Sequence, residues 1–125
     1  MTIKTAAALA AALLLTACAS TQTPPRPSDQ LAFGVWASQN NLWDEAIFRW
    51  KKVLQASPSS VAAHNNLGVA YEKKGLFKEA LAEYEAALKL SPENSHVKSN
   101  LKKCKENIQA TDLPAAPKKA PDAKK

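Results

Sequence analysis

The sequence predicts an all-α protein made of two helical hairpins and one further helix that covers their open side. Three observations predict this fold class. Residues 61–94 contain two runs with apolar side chains at helical spacing, separated by a glycine and closed by a proline. A more divergent copy of the same pattern lies 34 residues earlier. A third helical stripe follows in residues 95–110.

The stronger hairpin has defined helix ends. Its first run, residues 61–74, contains no proline and carries two lysines in its last turn, where cations favour a helix C-terminus. Gly75 ends this run. The second run, residues 77–90, places its apolar side chains on one face and is stopped by Pro92. Neither helix buries its stripe alone, so we expect a neighbouring hairpin.

Small and large residues alternate at fixed offsets along this hairpin. The seven positions are Leu67, Gly68, Tyr71, Ala80, Tyr84, Ala87 and Pro92. Their types and spacing resemble the 34-residue tetratricopeptide repeat, in which a short turn joins two antiparallel helices. The resemblance implies a helical protein-binding module, and it leaves the bound protein open.

A second repeat is expected at about residues 27–60. The aligned pairs are Phe33 with Leu67, Gly34 with Gly68, Asn41 with Gly75, Trp43 with Phe77, Ala46 with Ala80, Trp50 with Tyr84, and Pro58 with Pro92. Two positions depart from the family pattern, because Gln30 and Ala37 stand where larger side chains are usual. We expect Trp36 to supply the missing volume beside Ala37.

The segment after the second repeat has the pattern of a capping helix. Its apolar residues are Val97, Leu101, Cys104 and Ile108. They form one narrow stripe with lysines elsewhere, which predicts a helix that is apolar inward and polar outward. Lys102 replaces the glycine of the repeat, so a third full repeat is not expected. The predicted repeat domain covers residues 29–110. Cys104 is interpreted as a buried small residue, with intermolecular disulfide pairing as the alternative.

The N-terminus predicts export and lipidation. Residues 1–17 start with one lysine before an apolar run too short to span a bilayer, which fits a secretory signal peptide. The sequence Leu-Thr-Ala-Cys ending at Cys18 resembles the lipobox of bacterial lipoproteins. That resemblance implies cleavage before Cys18 and its acylation, for example with palmitate. The alternative is an ordinary signal peptide with an incidental cysteine.

The residue after Cys18 gives an expected location. Alanine, not aspartate, follows the cysteine at position 19. This resembles the default outer-membrane sorting signal of Gram-negative lipoproteins. We therefore expect a lipid anchor in the bacterial outer membrane, with the chain facing the periplasm. Residues 18–28 are rich in proline and small polar residues and are interpreted as an extended tether.

The C-terminal segment, residues 111–125, consists mainly of proline, alanine and lysine and is predicted to be disordered. Residues 94–125 contain eight lysines and three acidic residues, so this end carries +5 of the total charge of +6. One interpretation is a solvated tail that maintains solubility. The other is electrostatic contact with an anionic surface such as lipid head groups or cell-wall polymer. Nucleic acid is not an expected partner of an exported chain.

Candidate binding residues come from the family resemblance, which implies that the first helix of each repeat lines a groove. The predicted groove residues are Leu31, Val35, Asn65, Asn66, Val69 and Glu72. Val35 and Val69 are interpreted as apolar positions that the fold does not need for its own packing. The alternative is that such aliphatic residues are ordinary surface. His64 is interpreted as packing at the groove edge.

The sequence gives no support for an enzyme. No serine–histidine–aspartate set, paired carboxylates or glycine-rich phosphate loop is visible, and His64 and His96 lack metal-ligand spacing. No cofactor is therefore expected. The leading interpretation is a non-enzymatic adaptor that presents a peptide-binding groove to an envelope protein in pilus, secretion or cell-wall assembly. The alternative is a structural tether between the outer membrane and the cell wall through the basic tail.

Overall fold

The computed structural model describes residues 23–112 of the 125-residue chain. These residues form five helices and, within that range, no strand. The helices are α1 (Gln30–Gln39), α2 (Trp43–Ala56), α3 (Val61–Lys73), α4 (Phe77–Leu90) and α5 (Ser95–Asp112). The predicted all-α class is confirmed, and α5 extends two residues beyond its predicted end. The predicted signal peptide (residues 1–17), Cys18 and residues 113–125 of the predicted tail lie outside the described residues.

The helices pack in chain order as a short solenoid. Helix α1 packs on α2, α2 on α3, α3 on α4, and α4 on α5, while α3 also touches α5 directly. Two helical hairpins are therefore followed by a capping helix, as the sequence predicted. Among residues 23–112, no helix is long and apolar enough to cross a membrane.

Side chains cap the N-termini of three helices: α1 and α3, which begin the repeats, and α5. The backbone N–H of Ala32 donates to Asp29 at 3.0 Å at the start of α1. The N–H of Ala63 donates to Ser60 at 3.3 Å at the start of α3. Asn94 accepts from Val97 in the same way at the start of α5. Each cap satisfies a helical N–H that would otherwise lack a partner, which fixes where the helix begins.

The turn inside each hairpin needs one residue with a left-handed backbone. Asn41 has φ 60° in the first hairpin, and Gly75 has φ 73° at the equivalent position of the second. Glycine adopts this conformation without steric cost, and asparagine is among the residues that tolerate it best. This explains how Asn41 replaces glycine in the divergent repeat.

An aromatic ring lies on a glycine between the two helices of each hairpin. A Cβ atom on Gly34 would overlap the ring of Trp50, and one on Gly68 would overlap the ring of Tyr84. Both rings are buried. The indole N–H of Trp50 also donates to the carbonyl of Leu31 at 3.3 Å. The glycines therefore allow close approach of the helices, and the aromatic rings fill the space between them.

The core divides into two clusters along the solenoid, the first built from α1, α2 and α3 and the second from α4 and α5. The first cluster is Ala37, Ala46, Trp50, Ala63, Leu67 and Ala70, and the second is Ala80, Tyr84, Ala87, Val97 and Cys104. Trp36 packs against the first cluster beside the fully buried Ala37, as predicted. Its ring meets that of Phe33 edge to face, with centroids 5.3 Å apart. The Trp36 ring thus fills the space that a larger side chain at position 37 was expected to fill.

Helix α5 covers the second cluster with its apolar stripe. Val97 and Cys104 are fully buried, and Leu101 and Ile108 pack against the same cluster. The Sγ of Cys104 lies 3.4 Å from the carbonyl oxygen of Phe77. Burial raises the pKa of the Cys104 thiol, and the negative charge of Glu72 raises it further. The interpretation of Cys104 as a buried small residue is confirmed.

The contact between Gly68 and Tyr84 gives a stability prediction. Gly68→Ala should lower the free energy of unfolding by about 1–3 kcal/mol, because the added methyl group must displace a buried ring. Urea unfolding monitored by circular dichroism measures this. Ala62→Ser, which adds one atom at an exposed position of the same helix, serves as the control and should change stability little. Equal stability of the Gly68→Ala variant and the parent would contradict the packing described here.

Candidate protein-interaction surface

Two of the predicted groove residues lie beside the N-terminal helix. Leu31 and Val35 border a depression of about 470 Å³, whose other walls include Trp36 and the preceding residues Thr23 and Pro25. Val35 is 38% exposed. Leu31 contributes part of its surface to the first core cluster. This depression is apolar and open to solvent at Val35.

Asn65 and Asn66 lie in a different depression, between the N-terminal ends of α3 and α5. It measures about 450 Å³ and is also lined by Val61, Asn94 and His96. The amide of Asn100 donates to Oδ1 of Asn65 at 3.0 Å, which joins α5 to α3. Within residues 23–112, Asn66 has no side-chain hydrogen-bond partner, so both its donor and its acceptor can meet a ligand. The structure therefore separates the predicted groove into two depressions.

The interpretation of Val69 needs correction. Val69 is partly buried and packs against the second core cluster. The fold therefore uses this side chain, contrary to the expectation that it was free of packing. The reason is the neighbouring helix: α5 touches α3 directly, and Val69 packs on the core cluster to which α5 contributes.

Glu72 joins three helices. Its Oε2 accepts a hydrogen bond from the hydroxyl of Tyr84 at 2.6 Å, and its Oε1 accepts one from the amide of Asn107 at 3.3 Å. Burial raises the pKa of Tyr84, and the hydrogen bond and charge of Glu72 raise it further. Both carboxylate oxygens of Glu72 are thus occupied within the fold, and Glu72 connects α3 with α4 and α5.

His64 also faces a neighbouring helix rather than the groove edge. Its Nδ1 lies 2.7 Å from Oε2 of Glu83 on α4, and its Nε2 lies 3.0 Å from the carbonyl oxygen of Pro58. The predicted packing role of His64 is therefore confirmed, and its contacts lie toward α4 and the segment before α3. Within residues 23–112, no group of three or more histidine, cysteine or acidic side chains is arranged to hold a metal ion.

The end of the predicted tether is attached to the repeat domain. The backbone carbonyl of Pro27 accepts hydrogen bonds from Arg49, at 3.5 Å, and from Gln30. Arg49 also binds Glu45 at 2.6 Å and lies 4.1 Å from the ring centre of Phe33. The predicted tether, residues 18–28, therefore contacts the repeat domain near its C-terminal end, at Pro27. The spacing of apolar residues carried no signal for this contact, because Arg49 reads as an ordinary exposed cation.

This arrangement defines a helical-repeat protein whose polar inner residues mostly hold neighbouring helices together. The family model for the tetratricopeptide repeat matches residues 31–95, which is more than half of the chain. The chain belongs to the tetratricopeptide repeat family, and such repeats are scaffolds for protein–protein interaction.

Two animal proteins share sequence with part of this chain. A protein O-mannosyl-transferase of Caenorhabditis elegans, F38B6.6, is 37% identical over 65 residues, which is 51% of this chain. The human protein O-mannosyl-transferase TMTC1 is 33% identical over 81 residues, or 63% of this chain. The chain spans 9% of the length of each of these relatives. The similarity is therefore confined to a small part of each transferase.

The contact between Tyr84 and Glu72 gives a pH-dependent prediction. Tyr84→Phe should lower the free energy of unfolding at neutral pH by about 1–3 kcal/mol, because a carboxylate loses its phenol donor. Because the pKa of Tyr84 is raised in the folded protein, its contribution is fully present below about pH 10 and is lost as the pH rises above that value.

The stability difference between parent and Tyr84→Phe should therefore narrow above about pH 10. Urea titrations at a series of pH values measure it. Tyr71→Phe is the control, since the hydroxyl of Tyr71 makes no hydrogen bond among residues 23–112. A constant difference across the alkaline range would show that ionisation of Tyr84 is not linked to unfolding.

Proposed function

We propose that the chain is a non-enzymatic adaptor that binds a peptide segment of an envelope protein at the inner side of its repeats. The observation that carries this proposal is the depression between α3 and α5, where the amide of Asn66 has no partner among residues 23–112. An amide with a free donor and acceptor can pair with both groups of a peptide backbone. The exposed apolar surface at Val35 supplies a second contact area.

The proposed adaptor is attached to the bacterial outer membrane and faces the periplasm. Support comes from the signal-like residues 1–17 and the lipobox-like sequence ending at Cys18. Several acyl chains would anchor the chain firmly, whereas one chain binds membranes only marginally. The repeat domain would begin close to Pro27, because the carbonyl of Pro27 is bound to Arg49.

The transferase activity in the relatives' names is not part of this proposal. The chain spans 9% of each relative, and its own repeats match the family model over residues 31–95. All such repeats need the same packing residues, so a shared repeat accounts for this similarity without a shared activity. The second candidate is a tether to the cell wall, which the concentration of +5 charge in residues 94–125 favours.

The anchor is tested by Cys18→Ser. This variant should fail to incorporate labelled palmitate in cells and should not fractionate with the outer membrane, because the acylated thiol is removed. Cys104→Ser is the matched control and should remain labelled, since Cys104 is buried in the core. Labelling that persists in Cys18→Ser would sink the proposed anchor.

The interaction surface is tested by the double variant Val35→Glu and Asn66→Glu, with one change in each depression. It should lose at least about 90% of partner crosslinking in cells, because a glutamate at each position removes the contacts that the original side chain makes with the partner. Val69 is left unchanged because it packs in the core. The control is Ala82→Glu with Glu85→Gln, at exposed positions of α4.

Site-specific photocrosslinking at residue 62, an exposed position that lines the same depression, provides the readout. Thermal melting confirms folding. Deletion of residues 114–125 should leave the crosslinked adduct in place. If the folded double variant keeps the adduct and the tail deletion loses it, the adaptor is rejected and the tether takes its place.

A further inference from the structure

The last helix has a face on which no other helix packs within residues 23–112. Helix α3 lies between α2 and α4, whereas α5 packs on α4 and touches α3. A depression of about 420 Å³ lies along this side of α5 and α4. We call it the end face, and its lining includes Leu88, Lys98, Leu101, Lys102, Lys105 and Glu106.

The end face occupies the position at which the repeat binds its own second helix. The equivalent residues, 34 apart, are His64 and Lys98, Gly68 and Lys102, and Tyr71 and Lys105. On α3, His64 bonds to Glu83 of α4, and the ring of Tyr84 lies against Gly68. The end face therefore corresponds to the side of α3 that binds α4. Lysine replaces the equivalent α3 residue at three of its positions.

The centre of the end face is apolar. Leu88 of α4 and Leu101 of α5 are partly buried against the second core cluster, and their remaining surface lines the depression. Lys102 takes the place of the glycine that permits close approach in the repeats. A helix bound here must lie farther out than α4 lies on α3. The aliphatic stems of the lysines can fill that space while their ammonium groups remain in water.

The border of the end face is basic and weakly neutralised. Lys98 lies 3.2 Å from Glu93, and Lys102 lies 4.0 Å from Glu106, but both pairs are exposed. Exposed pairs of this kind contribute little and separate easily. No acidic side chain of residues 23–111 lies within salt-bridge distance of Lys105. The lysines of the end face can therefore bind carboxylates of a ligand.

The chain itself offers no acidic segment for this face. A second copy would bring the same lysines and repel. Residues 113–125 contain four lysines and one aspartate, and residues 1–22 contain one lysine and no acidic residue. A membrane surface offers negative charge, but the end face is a depression with an apolar centre, which fits a side-chain ridge better than a plane of head groups.

We propose that the end face binds an acidic amphipathic helix of a partner protein. Its apolar residues would contact Leu88 and Leu101, and its carboxylates would pair with Lys98, Lys102 and Lys105. This surface is separate from the inner depressions of the proposed adaptor, so it adds a second binding site. Helices that insert an apolar ridge into a groove are a recurrent mode of recognition.

The test uses the full chain and two labelled synthetic peptides. The first is an amphipathic helix with leucines on one side and glutamates on its flanks, and the second carries lysines in place of the glutamates. Fluorescence anisotropy measures binding at low and at high salt. We expect the acidic peptide to bind, with affinity that falls as salt increases, and the basic peptide not to bind.

Lys98→Glu with Lys105→Glu should weaken binding of the acidic peptide by about tenfold or more, because close charge pairs at an interface are reversed. The matched control is Lys78→Glu with Lys103→Glu, which changes the net charge equally at exposed positions outside the end face. This control should retain most of the affinity. Circular dichroism verifies that both variants are folded.

Three results would overturn the proposal. The acidic and basic peptides could bind equally, the control could lose as much affinity as the end-face variant, or the acidic peptide could fail to bind. Vesicles containing anionic phospholipid form a separate arm. Vesicle binding that depends on Lys98 and Lys105, without peptide binding, would assign the end face to a lipid surface instead. The double variant Val35→Glu and Asn66→Glu tests the proposed adaptor independently, since it leaves the end face unchanged.

Discussion

The fold depends on one repeated contact, an aromatic ring placed on a helical glycine. Trp50 lies on Gly34 and Tyr84 lies on Gly68, so each hairpin closes around a ring that only glycine can accommodate. Burying such a ring requires a partner for its polar atom. The two repeats meet this need differently, because the indole of Trp50 donates to a backbone carbonyl and the phenol of Tyr84 donates to a carboxylate.

That difference accounts for the attachment of the cap. Because the acceptor of Tyr84 is the side chain of Glu72, its second oxygen remains available, and Asn107 of α5 binds it. Asn100 of α5 binds α3 in a similar way through Asn65. The cap is thus held by an apolar stripe on one side and by amide contacts on the other. Residues that the family resemblance assigns to ligand binding serve here to fix the end of a short array.

The sequence predicts the helices well and their side-chain partners poorly. Helix ends depend on local signals such as Gly75 and Pro92, so the predicted limits of α4 agree with the structure. The partners of Glu72 and the packing of Val69 depend on residues up to 35 positions away, and periodicity gives only the face of a helix. The contact of Arg49 with Pro27 was missed for the same reason.

The lysine at position 102 helps to explain why the end of the array differs from its interior. In the repeats, glycine at this position lets a second helix approach until an aromatic ring fills the gap. Lys102 prevents that approach, and Lys98 and Lys105 place further charge beside it. Leu101 nevertheless keeps its place in the core pattern. The same helix thus ends the hydrophobic stacking on its inner side and presents a basic face with an apolar centre on its outer side. Three lysines and one glutamate line the depression around Leu88 and Leu101, and this excess of positive charge favours an acidic partner.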